Sequence, residues 1–569
     1  MKPTRFRFVT LIGLLAFAPL LAGAAGQTSA GAAADAPMEV SFLMEIRSGE
    51  ESTWFLDQVE EKFNVRIVPN GVYHGDKEKV SLLLATGECP DLFCPGDPYD
   101  TLAQGLTRTI PVEMLHEHAP QYTKLLNDYY PVGWLLGQSP DDPDEYVALH
   151  MIGENADTLL TYATFRSDWA ENVGFTVPNL DQAMQVDPIG RVFYLDEDFT
   201  LDQFDALLKA FRDQDPDGNG KNDTIPWGSS NNIFWTWSPL MGAYGVHYAP
   251  NWARPAGGGN SLVDGELYFW AVSPRYRDFL LHANEWWNEG LLDSEFASLS
   301  VGKYWEKVGQ GIIGAGMSSA WYAGGQNERF WSRPPNAFAT EEEAAAGVKV
   351  LMVPPPVGPT GIQGSPSGKD TGNIGASYMN IGAKVSDEKL AKILQVLDWA
   401  RYGDDRVWVQ AEFGQPGVHF DWQGEEWNSA AMLRPMAEVA EGNYQVGGWG
   451  ESYPGVQTRT RFKYLLPFQL ASFLENYAID GRGRELQTNS YKMDWLAETR
   501  VGELNRRYGD TLTTIEDEFL YKAVMGQVDI ESEWDAYVNK WLDAGGREWL
   551  DEMKKMPIRA EFLKGNIVY

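Results

Sequence analysis

The run Asp213-Gln214-Asp215-Pro216-Asp217-Gly218-Asn219-Gly220-Lys221-Asn222-Asp223-Thr224-Ile225-Pro226 sets oxygen-bearing side chains at alternate positions. Asp215, Asp217, Asn219 and Asp223 occupy relative positions 1, 3, 5 and 9 of a loop, and Gly220 occupies position 6. That is the spacing with which a loop wraps a hard cation, turning sharply at the glycine. Lys221 would offer its backbone carbonyl from position 7. The chemistry implied is structural Ca2+ held by Asp215, Asp217, Asn219, Lys221 and Asp223, with Thr224 as a further oxygen. Position 12 is Pro226, not a bidentate Glu, and Ile225-Pro226 predicts no exiting helix, so the loop reads as a static staple. The competing reading is a solvated acidic turn, because Asp, Asn and Gly also favour turns without metal.

Catalytic motifs are missing. There is no Gly-x-x-x-x-Gly-Lys-Ser/Thr loop; Gly364 to Lys369 comes nearest, with the wrong spacing. There is no Gly-x-Ser-x-Gly elbow and no His-Glu-x-x-His site. His116 and His118 are two apart, so on a helix they point to different sides. With 80 acidic residues, some carboxylate pair always suits a glycosidase on paper, and sequence cannot place two of them roughly 5–9 Å apart.

The acidic loop must be held by what precedes it. Thr200 to Asp213 reads as a helix with Thr200 as N-cap, Gln203 closing a capping box, and Leu201, Phe204, Leu207, Leu208 and Phe211 as its apolar face. Nearer the N-terminus, Val40–Ile46, Val65–Val68 and Pro90–Cys94 read as strands. Ser52–Phe63 and Lys77–Ala85 read as the helices between them, which predicts βα units and a largely parallel sheet. Another helix follows Ser386, with Leu390, Ile393, Leu394 and Leu397 on one side. A third carries Trp534, Tyr537, Val538, Trp541 and Leu542 and stops at Gly545-Gly546; its aromatic stripe is expected in the core. Ala256–Ser261 and Pro354–Gly368 read as loops.

Composition narrows the function. The chain has 569 residues, with 46 Lys and Arg against 80 Asp and Glu, a formal charge of −34 that argues against phosphate-backbone binding. Lys2, Arg5 and Arg7, the apolar run Phe8–Leu21 and Ala22-Gly23-Ala24 form a secretory signal peptide over 1–24, followed by a flexible leader at 25–37. No Cys follows for lipidation, so a free periplasmic or otherwise extracytoplasmic protein is expected. Cys89 and Cys94, if joined by extended chain, have Cα atoms about 16 Å apart. A turn could close that gap; two free, buried thiols are the expectation.

The ordered segments resemble a family. Leu83-Leu84-Ala85-Thr86-Gly87-Glu88-Cys89-Pro90-Asp91-Leu92-Phe93, Arg166-Ser167-Asp168-Trp169, Ala210-Phe211 through Pro226, Trp287 through Asp293, Pro354 through Gly361 and Phe413 through Phe420 are similar, in that order, to runs of extracellular solute-binding proteins (family 1). These are the capture subunits of carbohydrate ABC importers, and the likeness is nearest to the large branch that includes alginate-oligosaccharide-binding proteins. The resemblance implies an α/β, two-lobe periplasmic-binding-protein fold of type II, each lobe a mainly parallel sheet flanked by helices, with hinge strands crossing more than once. It also implies a calcium loop, a carbohydrate ligand in the cleft, ABC permease subunits as partners, and a non-catalytic monomer. A Glu of the alginate-binding members is replaced here by Thr224. The stretch Asp187–Tyr194 reads as a surface insertion.

On this reading the N-terminal lobe takes 38–160, the C-terminal lobe 161–323 with the calcium loop at 213–224, the N-terminal lobe again 324–378, and the C-terminal lobe 379–569. Sugar binding needs aromatic faces and a few polar groups. Trp321, with Tyr322 beside it, resembles the Gly-Pro-Trp position that lines the cleft of maltose-binding relatives. Asn232, Trp235 and Trp237 lie in a loop-like segment after the calcium loop. Glu45 and Asp97 follow predicted strands, where clefts open in α/β sheets. His419 is a hinge-side candidate. The alternative function is a secreted, calcium-stabilised glycosidase or lyase.

Overall fold

The structure, a computed structural model, describes residues 36–43, 53–70, 72, 77–87, 89–93, 98–129, 131–150, 152–153, 160–187, 190–246, 259–319, 349–364, 378–434, 456–457, 459–465, 468–479, 481–486, 490–493 and 500–566. Two sheets organise them. In chain order their strands are β1 (Met38–Phe42), β2 (Val65–Pro69), β3 (Leu92–Phe93), β4 (Leu149–His150), β5 (Leu160–Arg166), β6 (Met184–Gln185), β7 (Val192–Tyr194), β8 (Ile225–Trp227), β9 (Ile313–Ser319), β10 (Val350–Val353) and β11 (Tyr378–Ile381).

The first sheet has the order β2-β1-β3-β11-β4 and the second β8-β9-β5-β10-β7-β6. β1 runs parallel to β2 and β3, while β11 runs against β3 and β4. In the second sheet β9 and β10 both run against β5, whereas β8 and β7 run parallel to β9 and β10. Each sheet is therefore mixed, not mainly parallel. The reason is topological. A strand that arrives from the other sheet enters at the end where the βα units leave, so it must run against them; β5 and β11 are those strands.

The helices read from sequence pack where their apolar faces direct them. In the first sheet's core, Val40, Phe42, Val65 and Leu92 meet Phe55, Leu56 and Val59 of α1 (Trp54–Phe63). α2 (Lys77–Ala85) falls where the sequence puts it. α3 (Leu201–Asp213) has both halves of its capping box, Thr200 with Gln203, and buries all five expected residues. Leu390, Ile393, Leu394 and Leu397 of α4 (Asp387–Leu397) sit under the first sheet. One face of the second sheet, with Phe165, Trp227 and Leu351, packs α3 and the C-terminal helices α6 (Arg500–Val524) and α7 (Ile530–Trp541). Between them in sequence, α5 (Arg459–Leu465) sends Phe462 to the other face, among Tyr162, Val192, Tyr194 and Met352. The Trp534, Tyr537 and Trp541 stripe is core, as expected.

Three readings are corrected. Residues 350–353 pair inside the second sheet and 387–397 pack on the first, so 324–378 does not return whole to the first lobe, nor does 379–569 belong whole to the second. A short apolar strand such as Val350-Leu351-Met352-Val353 suits either interior, so its type alone does not say which sheet it joins. The described residues of Asp187–Tyr194 do not sit at the surface: Asp187, Arg191, Val192 and Tyr194 are buried. Asp187 is fully buried, its Oδ1 accepts from the N–H groups of Gly190, Arg191 and Val192, and the turn carries β6 onto the sheet edge. Asn260–Val263 is a strand paired with Glu266–Phe269. The helix breaks at Gly545 as read: that residue leaves helical geometry at φ 120, and a new helix begins at Arg547–Met553. Cys89 carries a free, half-buried thiol, and Cys94 lies outside the described residues. Among the described residues no helix is long and apolar enough to cross a membrane.

Candidate functional site

Topology marks one end of each sheet. The chain leaves the first sheet at His150, the end of β4, and enters the second at Leu160, the start of β5. It returns from Val353, the end of β10, to Tyr378, the start of β11. By register, these are the ends where β1, β2 and β3 finish in one sheet and β7, β8 and β9 finish in the other. Loops leaving the carboxyl ends of strands make the cleft in open α/β sheets. Here both sets of loops emerge on the side bridged by the crossings.

The sequence-derived residues distribute as follows. Glu45, Asp97, Trp321 and Tyr322 lie outside the described residues; β1, β3 and β9, which they follow, all end on the bridged side. Asn232 is half-buried; its carbonyl accepts from the N–H of Thr236, and its own N–H donates to Ser230 Oγ at 3.2 Å. Trp235 starts on the same side, in the short helix Ile233–Thr236, and its side chain is outside the described set. Trp237 is a correction. It is 0% exposed, its indole Nε1 donates to Ser229 Oγ at 2.6 Å, and its ring packs on Phe296 at 5.2 Å. It has no face left for a sugar, because the turn from the preceding helix drives it into the core against Phe279 and Phe296. His419 is also a core group, 1% exposed. Its Nδ1 accepts from the N–H of Gln415 at 2.8 Å, and burial pushes its pKa down, so it is a neutral imidazole.

Three features were missed. Trp54, half-buried at the first position of α1 behind its Thr53 cap, sits 6.2 Å from His419 on the bridged side. Tyr378 begins β11 there, 5.0 Å from His150 in an edge contact. Beyond β7, Asp196 and Asp198 share Arg482, and Gln363 donates to Asp198. The alternation of Tyr194, Asp196 and Asp198 was the available signal, since residues two apart on extended chain share a face.

The acidic loop lies at the opposite end of the second sheet, because α3 runs back from the bridged side before β8 begins. Asp215 adopts φ 49, with Gly218 at φ 67 and Gly220 at φ 78. The Gly220 N–H donates to Asp215 Oδ2 at 2.9 Å. Asn219 Nδ2 donates to Asp217 Oδ2 at 2.7 Å and to Asp223 Oδ1 at 3.0 Å. Burial, then the neighbouring Asp215 and Asp223 carboxylates, push the Asp217 pKa up. Asp215 Oδ1 and Thr224 Oγ1 are buried without a hydrogen-bond partner. Crowded carboxylates and an orphaned buried oxygen fit a cation. Among the described residues, however, no group of three His, Cys, Asp or Glu side chains is arranged to hold a metal. Asn219's amide N–H groups occupy the space between Asp217 and Asp223. No helix leaves the loop, as the Pro226 reading has it; β8 follows at Ile225–Trp227.

No protein-family model matches the chain. Lipoprotein LipO of Bacillus subtilis (strain 168) is 21% identical over 514 residues, covering 87% of this chain and 86% of LipO. A solute-binding protein of Bifidobacterium longum infantis, described as HMO-binding and ABC-transporter associated, superposes with TM-score 0.65 at 15% identity, over 92% of this chain and 98% of that one. The chain has the fold of ABC-transporter solute-binding proteins. The FusA substrate-binding protein of S. pneumoniae, an EF-hand mutant in complex with fructo-nystose, shares that fold at TM-score 0.62 and 17% identity, over 91% and 98% of the two chains. So does the alginate-binding protein AlgQ2 without calcium ion, at TM-score 0.59 and 16% identity, over 92% and 98%. These neighbours of the solute-binding fold are binding proteins, not enzymes.

Proposed function

We propose that the chain is the extracytoplasmic capture subunit of a carbohydrate ABC importer. One observation carries this reading: two mixed sheets joined by repeated crossings, with their strand ends and loops gathered on the bridged side. An arrangement of that kind closes on a ligand by bending at the crossings, and it needs no catalytic group. Likeness to proteins whose names state fructooligosaccharide and polygalacturonan or rhamnogalacturonan binding supports a sugar, and an oligosaccharide in particular. The leader at 1–24 supports export, with delivery to membrane permease subunits by a monomer. Asp215, Asp217, Asn219, Asp223 and the Lys221 carbonyl would hold a structural Ca2+, after rotation of the Asn219 amide to present its oxygen. At the end of the second sheet away from the crossings, that ion would fix the α3–β8 junction and take no part in sugar contact.

The test is a thermal-shift screen of oligosaccharides with product analysis on the same samples. A ligand that raises the melting temperature and is recovered intact supports capture. Recovery of new reducing ends or unsaturated products overturns it.

A further inference from the structure

Past β7 the second sheet carries a polar cluster that no core requirement explains. Tyr194 pairs with Met352, and Met352 with Thr164, so two further residues along the chain bring Asp196 level with Tyr162, near the start of β5 on the bridged side. Tyr194 donates its hydroxyl to Asp196 Oδ1 at 3.2 Å. Arg482 donates to Asp196 Oδ1 at 3.1 Å, to Asp198, and to Gln363 Oε1 at 3.0 Å. Gln363 in turn donates to Asp198 Oδ1 at 2.7 Å and to the Pro355 carbonyl at 2.8 Å. Two carboxylates thus share one guanidinium, and their side chains remain 48% and 46% exposed. Tyr162 stands apart from this bonding. It is 3% exposed, its ring lies 5.9 Å from that of Tyr194, and its hydroxyl is buried with no hydrogen-bond partner. A buried hydroxyl left unmatched is costly unless something else completes it.

We propose that Tyr162, Asp196, Asp198, Arg482 and Gln363 form a hydroxyl-reading subsite of the cleft, and that the sugar it takes is uncharged. The inference rests on the carbohydrate reading above and names its substrate class. The two half-exposed carboxylates accept from sugar hydroxyls, and charge-assisted bonds of this kind are strong and directional. A uronate would bring its carboxylate beside them, and like charges side by side penalise the wrong partner. The cluster's cation is already held by both aspartates, so it is not free to pair with an acidic sugar. Burial and the neighbouring Asp196 and Tyr477 push the Tyr162 phenol pKa up, keeping it a neutral donor.

The experiment is calorimetric titration of the full-length protein with a neutral panel (maltotriose, cellotriose, kestose, lacto-N-tetraose) and an acidic panel (trigalacturonate, trimannuronate). The expected result is binding within the neutral panel and at least 100-fold weaker binding of both acidic sugars. Asp196→Asn with Asp198→Asn should weaken the neutral ligand at least 10-fold. Tyr162→Phe, which removes a hydroxyl the protein itself does not use, should weaken it several-fold with no loss of melting temperature. Equal or tighter binding of an acidic sugar, or neutral binding unchanged in these variants, overturns the inference and leaves sugar capture standing. Binding of neither panel overturns the carbohydrate reading itself.

Discussion

Asp398 is buried where the helix beginning at Pro120 starts. Burial pushes its carboxyl pKa up from 3.8 to about 6, although the N–H groups of Tyr122 and Gln121 pull the other way. The folded protein therefore holds this proton more tightly than the unfolded chain. Its stabilising contribution is present below about pH 4 and is lost as the pH rises through about 6. His150 has the opposite sign. Burial lowers its pKa from 6.5 to about 3, so its contribution is present above pH 6.5 and is lost as the pH falls towards 3. The two slopes oppose one another between pH 4 and 6, and only a difference measurement separates them. Asp398→Asn keeps an acceptor for Tyr122 and removes the titration. On going from pH 4 to pH 7 it should lose less stability than wild type, by on the order of 1–3 kcal/mol in urea unfolding. Parallel pH profiles would refute the shift. Trp237 makes a plainer residue-scale prediction. Filling the core with its indole bonded to Ser229, it should cost about 3–5 kcal/mol of stability on substitution by Ala. Trp54→Ala, at a half-buried ring on the bridged side, should weaken ligand more than it lowers the melting temperature.

At the scale of elements, the capping box and the acidic loop act in series. Thr200 fixes the start of α3, whose far end delivers Asp215. Thr200→Ala should cost about 1 kcal/mol, read as a lower urea midpoint at unchanged slope. Asp215→Asn removes a charge from the loop's first position. Ca2+ should then raise the melting temperature of the wild type by several degrees and leave the variant unmoved, since an ion that binds only the folded form stabilises by mass action. Identical shifts in both proteins would place the ion elsewhere. Elements with local signals were legible in sequence: α3 from its capping box and apolar face, α4 from the apolar side that follows Ser386, and the lack of an exiting helix after the acidic loop from Ile225-Pro226. Allegiance to a sheet was not. Val350–Val353 and the helix after Ser386 have the right local pattern for either lobe, and only pairing with β5 and packing under β1 decide between them. The site was legible to the same extent. Strand ends point to the bridged side, but Trp237 and His419 face inward, and exposure depends on which neighbours the rest of the chain supplies.

The whole molecule turns on how its crossings are tied. The strand pair Ile152–Gly153 and Val456–Gln457 runs parallel, hydrogen-bonding two crossing segments together. α5 follows at once, and it faces both ways. Phe462 is buried in the core of the second sheet, while its neighbour Arg461, 3% exposed, donates to the carbonyls of Arg401 at 3.0 Å and Gly403 at 2.8 Å and to Asp405 at 3.0 Å. Ala400 and Tyr402, on either side of Arg401, are buried in the first sheet's core. One side chain thus ties a helix seated on one sheet to a segment seated under the other. A flexible Lys gathers its three donors on one nitrogen, whereas Arg461 serves these three partners from three separate nitrogens of a rigid fork. Arg461→Lys should therefore loosen the crossing without emptying either core. Spin labels at Glu61→Cys on α1 and Asp202→Cys on α3, with Cys89 and Cys94 changed to Ser, would report the distance between the lobes. The ligand-free distribution should broaden in Arg461→Lys, and saturating ligand should narrow it again, because a closed cleft ties the lobes from the other side. An unchanged distribution would mean that Arg461 only fills space and that the strand pair alone sets the angle of opening.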